Sequence, residues 1–119
     1  MTTENSLADK KLVILWTTAD CETAERMVFM YARNSRLRGW WEEVCLVVWG
    51  ASQKLLCESP ELQEDLAEFQ KAGGEVQACI ACAELYGLTD KLRSLGIEVK
   101  PMGEPLTRYL KQGLKVLSI

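Results

Sequence analysis

The chain has 119 residues, 48% of them hydrophobic and 26% charged, which is typical of one soluble globular domain. Its formal net charge of −3 argues against binding to nucleic acid or to an anionic membrane surface. No apolar run approaches the roughly 20 residues of a membrane-spanning helix, and the polar N-terminus lacks a secretory signal, so we expect a cytoplasmic protein with reduced thiols.

Five apolar runs alternate with segments of helical periodicity along the chain. The first residues are polar, and we interpret residues 1–10 as a mobile tail before a single domain at residues 11–119. The apolar runs predict strands at residues 11–17, 43–49, 76–79, 97–100 and 114–119. The periodic segments predict helices at residues 21–35, 53–57, 60–71, 80–85, 90–95 and 105–112. This alternation is typical of an α/β fold, in which helices cover both faces of a parallel sheet.

The carboxyl ends of parallel strands lie at one edge of the sheet, where α/β proteins place ligands and reactive groups. Four loops are therefore expected to meet there, at residues 17–21, 49–53, 79–82 and 101–104. They bring two cysteines of one C-x-x-C sequence to this edge, Cys79 and Cys82. The same loops add the candidate accessory residues Cys21, Trp49, Ser52 and Met102.

The chain contains five cysteines and no histidine, and this composition excludes several kinds of site. An odd set of cysteines does not form a disulfide framework. Without histidine, one chain cannot build a Cys–His or Ser–His–Asp hydrolase or a mixed Cys/His zinc site. A four-cysteine zinc site normally pairs two C-x-x-C sequences, and only one is present. Because phosphate-binding glycine motifs are also absent, we expect neither a metal nor a cofactor.

Cys79 is the strongest candidate nucleophile, because it lies where the third strand gives way to a helix. A thiol at that position gains thiolate character from the helix dipole and the free backbone N–H groups. The alternative is a small buried core residue. Cys82 completes the spacing of a resolving thiol or redox pair. Cys21 begins a helix at the same edge and is either an accessory thiol or a passive helix residue, whereas Cys45 and Cys57 are interpreted as packing residues.

Two long stretches carry a resemblance to a known family, V-Q-A-C-I-A-C-A-E-L-Y-G-L-T-D-K-L from Val76 and L-G-I-E-V-K-P-M-G-E-P-L-T-R-Y-L-K-Q-G-L-K-V-L-S from Leu95. The first strand, K-L-V-I-L-W-T, and the turn V-V-W-G-A-S-Q extend it over nearly the whole chain. Together they resemble the DsrE/DsrF-like family. This resemblance implies a three-layer α/β/α domain with a five-stranded parallel sheet, and homo- or hetero-oligomers, often trimers or hexamers.

The best-studied members of that family relay sulfur, taking up a sulfane sulfur as a cysteine persulfide and passing it to a partner. Their sulfur-carrying cysteine opens a C-[IV]-A-A-A-like segment after the third strand, and Cys79 in C-I-A-C-A matches that position. Cys82 stands where they have alanine, and Leu85-Tyr86-Gly87 replaces a basic pair followed by glycine. The chain therefore looks like the small DsrE-like branch that contains C-x-x-C.

Three functional hypotheses follow. In the first, the protein is a persulfide carrier or sulfurtransferase that uses Cys79, with Cys82 as resolving thiol, and exchanges sulfur with a donor or acceptor protein. In the second, the two cysteines form a thiol–disulfide redox or sensing module. In the third, both are packing residues of a non-catalytic, oligomeric protein that binds a small ligand.

Overall fold

A computed structural model describes residues 7–119 of the protein. Of the tail predicted at residues 1–10, the first six residues lie outside the described residues, and Leu7–Lys10 form the short helix α1. The carbonyl of Lys10 accepts a hydrogen bond of 2.9 Å from the backbone N–H of Glu42, which ties α1 to the residue before the second strand. The last four residues of the predicted tail are therefore helical.

The five predicted strands are all present and pair in parallel, which confirms the predicted sheet. Their order in the sheet is β4-β3-β2-β1-β5. Runs of Val, Ile and Leu form them because these side chains suit a pleated backbone that is buried on both faces. The strands are β1 (Lys11–Trp16), β2 (Glu43–Val48), β3 (Glu75–Cys79), β4 (Glu98–Lys100) and β5 (Lys115–Ser118).

Helices connect the strands, and several begin at residues with a clear capping role. Asp20 Oδ2 accepts a hydrogen bond of 3.0 Å from the backbone N–H of Thr23, and Ser59 Oγ accepts one of 3.2 Å from Leu62 N–H. A continuous helical stretch at residues 21–37 consists of α2 (Cys21–Thr23), a π-helical segment (Ala24–Phe29) and α3 (Met30–Leu37). The others are α4 (Ala51–Glu58), α5 (Pro60–Lys71), α6 (Ile80–Tyr86), α7 (Thr89–Ser94) and α8 (Gly103–Lys111).

The two faces of the sheet pack into separate hydrophobic clusters, which gives the predicted three-layer α/β/α fold. Alternate residues of β1, such as Ile14 and Trp16, face the larger cluster, to which the π-helical segment and the helices from α3 to α7 contribute. Val13 and Val47 face a smaller cluster with Tyr109 of α8. The connection from β4 to β5 crosses the sheet in the direction opposite to the other connections, so a right-handed crossover places α8 on the other face.

The strand order brings four strand ends and the following loops together at one edge. The backbone N–H of Trp49 donates to the carbonyl of Trp16 at 3.1 Å, and that of Thr17 donates to the carbonyl of Ile119 at 2.7 Å. These bonds join the ends of β1, β2 and β5.

Within residues 7–119, no helix combines the length and the apolar character that crossing a membrane requires.

Candidate functional site

Cys79 occupies the junction between a central strand and a helix. It is the last residue of β3 and the N-cap of α6, with extended backbone angles of φ −74° and ψ 119°. Its side chain is only 5% exposed and packs in the smaller cluster with Val47 and Met102. The junction forms because Ile80 to Ala83 favour a helix as soon as the strand ends. The sequence-based placement of Cys79 at the sheet edge therefore agrees with the structure.

Cys82 lies on the first turn of α6, beside Cys79, and is half-buried against the same cluster. Both residues are free cysteines. Burial raises the pKa of the Cys82 thiol, and the neighbouring Cys79 raises it further, whereas the backbone N–H of Gly50 and the indole of Trp49 act to lower it. The two thiols are thus neighbours, and Trp49 packs against the same hydrophobic cluster as Cys82.

Gly50 gives the turn after β2 its shape. It precedes α4 with φ 76° and ψ −138°, a conformation that is open to glycine and strained for other residues. The backbone N–H of Gly50 acts to lower the pKa of Cys82 on the neighbouring helix α6.

Gln53 holds the ends of β2 and β3 together, a role that the sequence analysis missed. Its side chain is fully buried, and Nε2 donates hydrogen bonds to the carbonyl of Val48 at 3.1 Å and to that of Cys79 at 3.0 Å. Among the described residues, Gln53 Oε1 has no hydrogen-bond partner. A glutamine on the core side of a helix, one turn before the buried Leu56, was the available sequence signal. Gln53 fixes the backbone on which Cys79 sits.

The other predicted accessory residues near the pair mainly support its structure. Ser52 Oγ donates to the carbonyl of Trp16 at 2.6 Å and accepts from the backbone N–H of Trp49 at 3.2 Å, so this hydroxyl joins β1 to the turn after β2. Met102 is 1% exposed and packs with Cys79 in the smaller cluster, and Trp49 lies half-buried at its border.

The remaining three cysteines lie in different surroundings. Cys21 is exposed at the start of α2, where its sulfur lies 3.5 Å from Glu25 Oε1, and no described contact joins it to the Cys79–Cys82 pair. Cys45 is fully buried in β2, and desolvation raises its pKa to about 12, as for a packing residue. Cys57 is half-buried on α4. Within the described part of the chain, no three ionisable side chains gather in a metal-binding arrangement.

The contact between Trp49 and Cys82 leads to a first prediction. Trp49→Phe removes the indole N–H that favours the thiolate and keeps an aromatic ring in place, so alkylation of Cys82 near pH 8 should slow roughly threefold or more. The measurement is site-resolved mass spectrometry after timed reaction with iodoacetamide. Cys21 is the internal control, and an unchanged alkylation rate at Cys82 in the variant would contradict the role given to the indole.

Comparisons with known proteins place this geometry in a family. A family model described as the DsrE/DsrF-like family matches residues 10–119. A conserved protein of unknown function from Bacteroides thetaiotaomicron is 44% identical, with a TM-score of 0.93 over 96% of this chain and 98% of that chain. No curated protein matches the sequence.

Two more distant structures share the fold. The YchN protein from E. coli is 18% identical, with a TM-score of 0.71 over 92% of this chain and 99% of that chain. A protein of unknown function from Methanobacterium thermoautotrophicum is 20% identical, with a TM-score of 0.76 over 93% of this chain and 100% of that chain. The family match spans the strands, the Trp49–Gly50 turn and both thiols, and the chain therefore belongs to the DsrE/DsrF-like family.

Proposed function

We propose that the protein is a persulfide carrier of the sulfur-relay type, in which Cys79 holds the sulfane sulfur and Cys82 is the resolving thiol. The observation that carries this proposal is the adjacency of two free thiols at the carboxyl end of β3. Membership of the DsrE/DsrF-like family supports sulfur-relay chemistry in general. The homo-oligomer and the protein partners expected from the family resemblance stay predictions.

Loading is a transfer of one sulfur atom between thiols. The Cys79 thiolate attacks the outer sulfur of a donor R–S–SH, the S–S bond of the donor breaks, and R–S⁻ leaves while Cys79–S–SH forms. The thiolate is the nucleophile in such exchange reactions. The apolar surroundings of Cys79 limit the access of water and oxidants to the bound sulfur, because Met102 and the smaller cluster cover it.

Release uses the second thiol. The Cys82 thiolate attacks Cys79 Sγ, HS⁻ leaves, and a Cys79–Cys82 disulfide remains, which a thiol reductant returns to two thiols with two electrons. Gly50 and Trp49 contribute here because their N–H groups favour the thiolate form of Cys82. Transfer of the outer sulfur to an acceptor thiol is the alternative exit, and it leaves Cys79 reduced.

Intact-protein mass spectrometry tests the proposal directly. Reduced protein is incubated with polysulfide, freed of excess reagent and measured with and without a thiol reductant. We expect a mass gain of one sulfur atom, located at Cys79 by peptide mapping and removed by the reductant. No gain at Cys79, while a known persulfide-forming protein gains sulfur in parallel, would contradict persulfide carrying.

The same adjacency also favours a thiol–disulfide redox or sensing module. A disulfide between Cys79 and Cys82 would then form with a thiol oxidant alone, and its reduction potential would lie within the cytosolic range of about −220 to −320 mV. Equilibration with glutathione buffers, read by mass after alkylation, measures that potential. A reversible disulfide in a protein that takes up no sulfur would favour this second function over the first.

A further inference from the structure

A cavity of about 390 Å³ lies between α4 and the α6–α7 region, outside the two-thiol site. Its size is within the range of about 300–1,000 Å³ that is usual for small-molecule sites. We call it the α4–α6 groove, and it is lined by Lys54, Cys57, Glu58, Tyr86, Leu88 and Lys91.

The groove begins about one helical turn from the two-thiol site, because its lining residue Tyr86 lies four residues after Cys82 on α6. From α4, the ammonium of Lys54 lies 4.4 Å from the ring centroid of Tyr86. Residues four apart lie on the same helix face, separated by about one turn of 5.4 Å. A ligand that extends about one turn beyond Tyr86 can therefore reach Cys82, the neighbour of Cys79.

The groove carries two uncompensated positive charges. Among residues 7–119, no carboxylate lies within 4.0 Å of the ammonium nitrogen of Lys54 or Lys91. The contact with Tyr86 orients Lys54 and leaves its charge available, because a cation–π contact does not neutralise the ammonium. Glu58 adds one negative charge to the same wall.

This pattern of charges identifies a class of ligand. Two ammonium groups and one carboxylate are complementary to a zwitterion with two carboxylates and one ammonium. A volume of about 390 Å³ is more than a bare inorganic sulfur anion needs, and it suits a short-peptide thiol with two carboxylates. At about 3.3–3.6 Å per extended residue, such a molecule spans the one or two helical turns between the lysines and the thiols.

We propose that the α4–α6 groove binds the sulfur donor as the persulfide of a short-peptide thiol that has two carboxylates, with these carboxylates at Lys54 and Lys91 and its outer sulfur at the Cys79–Cys82 pair. This inference rests on the proposed persulfide-carrying function. The outer sulfur moves to Cys79, and the ligand leaves as its thiolate, so atoms and electrons balance without a further reactant.

Cys57 offers a test of binding that does not need sulfur transfer, since it lines the groove and is free. S-Methylglutathione is a net-anionic zwitterion of the proposed class that cannot transfer sulfur. We expect it to slow the reaction of Cys57 with N-ethylmaleimide at saturating concentration, without slowing the reaction of exposed Cys21. Equal rates at Cys57 with and without S-methylglutathione would overturn the groove proposal.

The rate of sulfur loading tests the role of the two lysines. With glutathione persulfide as donor, Lys54→Gln/Lys91→Gln should load about tenfold more slowly than the wild type. Lys71→Gln/Lys115→Gln is the matched control, because it removes the same charge from exposed lysines elsewhere. With the diethyl ester of the same donor, which lacks both carboxylates, all three proteins should load at similar rates.

The outcomes separate the two proposals. Two results together support donor binding in the groove. S-Methylglutathione protects Cys57, and sulfur loading slows only in Lys54→Gln/Lys91→Gln and only with glutathione persulfide, not with its diethyl ester. Loading of Cys79 at the same rate in both double variants overturns the groove and leaves persulfide carrying intact. Protection of Cys57 without sulfur uptake from any donor supports binding and overturns persulfide carrying. Thiosulfate could instead load the protein faster than glutathione persulfide does, with the same loss of rate in Lys54→Gln/Lys91→Gln. That result would assign the groove to an inorganic anion and overturn the proposal of a peptide-thiol donor.

Discussion

Cys79→Ser is expected to take up no sulfur from polysulfide, whereas Cys82→Ser is expected to take up one sulfur atom and to retain it. A serine hydroxyl does not replace a thiolate as the nucleophile toward sulfane sulfur. Cys82 is needed only for release as sulfide, because it is the neighbouring thiol that can attack Cys79. An intramolecular thiol has a large effective concentration, so its loss should lengthen the lifetime of the persulfide at least about a hundredfold without added thiols.

The measurement is the time course of intact mass after removal of excess polysulfide. Cys21→Ser is the matched control, because it removes a free thiol that is exposed and distant from the pair in the described contacts. It should load and release sulfur as the wild type does. Loading of Cys79→Ser at the wild-type rate, with the added sulfur on Cys82, would reverse the roles that we assign to the two thiols.

Gln53→Leu is expected to lower the free energy of unfolding by about 2 kcal/mol. It deprives two carbonyl groups, those of Val48 and Cys79, of their side-chain donor in a fully buried setting. Each loss of this kind costs about 1–3 kcal/mol. Removal of the buried Oε1, which has no hydrogen-bond partner among the described residues, offsets part of that cost. The shift of the urea midpoint measures this difference in the free energy of unfolding, because the m-value is expected to stay the same.

Gln63→Leu is a matched control within the same chain. Gln63 Nε2 also donates to two backbone carbonyls, those of Leu56 at 2.9 Å and Cys57 at 3.2 Å, but the side chain is only half-buried. Water can replace these bonds, so the same substitution should cost less than about 1 kcal/mol. Equal midpoints for the two variants would contradict the special role of burial at Gln53.

Much of the fold could be predicted because β1 and β2 are long apolar runs and the shorter strands follow helices that end at glycine. β2, for example, is predicted within one residue, and α5 begins at Pro60 after the Ser59 cap, as predicted. The helix predicted at residues 53–57 is longer than expected, since Gly50 is its N-cap and Ala51–Glu58 are helical. The placement of Cys79 also follows from local pattern and sheet topology.

Features that depend on contacts between distant segments could not be predicted. The role of Gln53 requires knowledge of which backbone carbonyls at the ends of β2 and β3 lie beside its side chain. Ser52, predicted as a candidate accessory residue of the site, donates to the carbonyl of Trp16 at the end of β1. The π-helical segment Ala24–Phe29 has no sequence signal that distinguishes it from an α-helix, since the same apolar residues fit both. The α4–α6 groove depends on which helices become neighbours.

The pairing of β5 with β1 has a consequence for how the chain folds. The hydrogen bond from Thr17 Oγ1 to the carbonyl of Ile119 closes a sequence separation of 102 residues. One edge of β1 pairs with β2, the next strand in the chain, whereas its other edge pairs with β5, the last strand. The second edge of β1 therefore stays unpaired until the end of the chain has folded. Non-local parallel pairing slows folding, because the entropy of a long loop is lost before the contact forms. Until β5 docks, an edge rich in Leu, Val and Ile stays open to other chains, so refolding should be most efficient at low protein concentration.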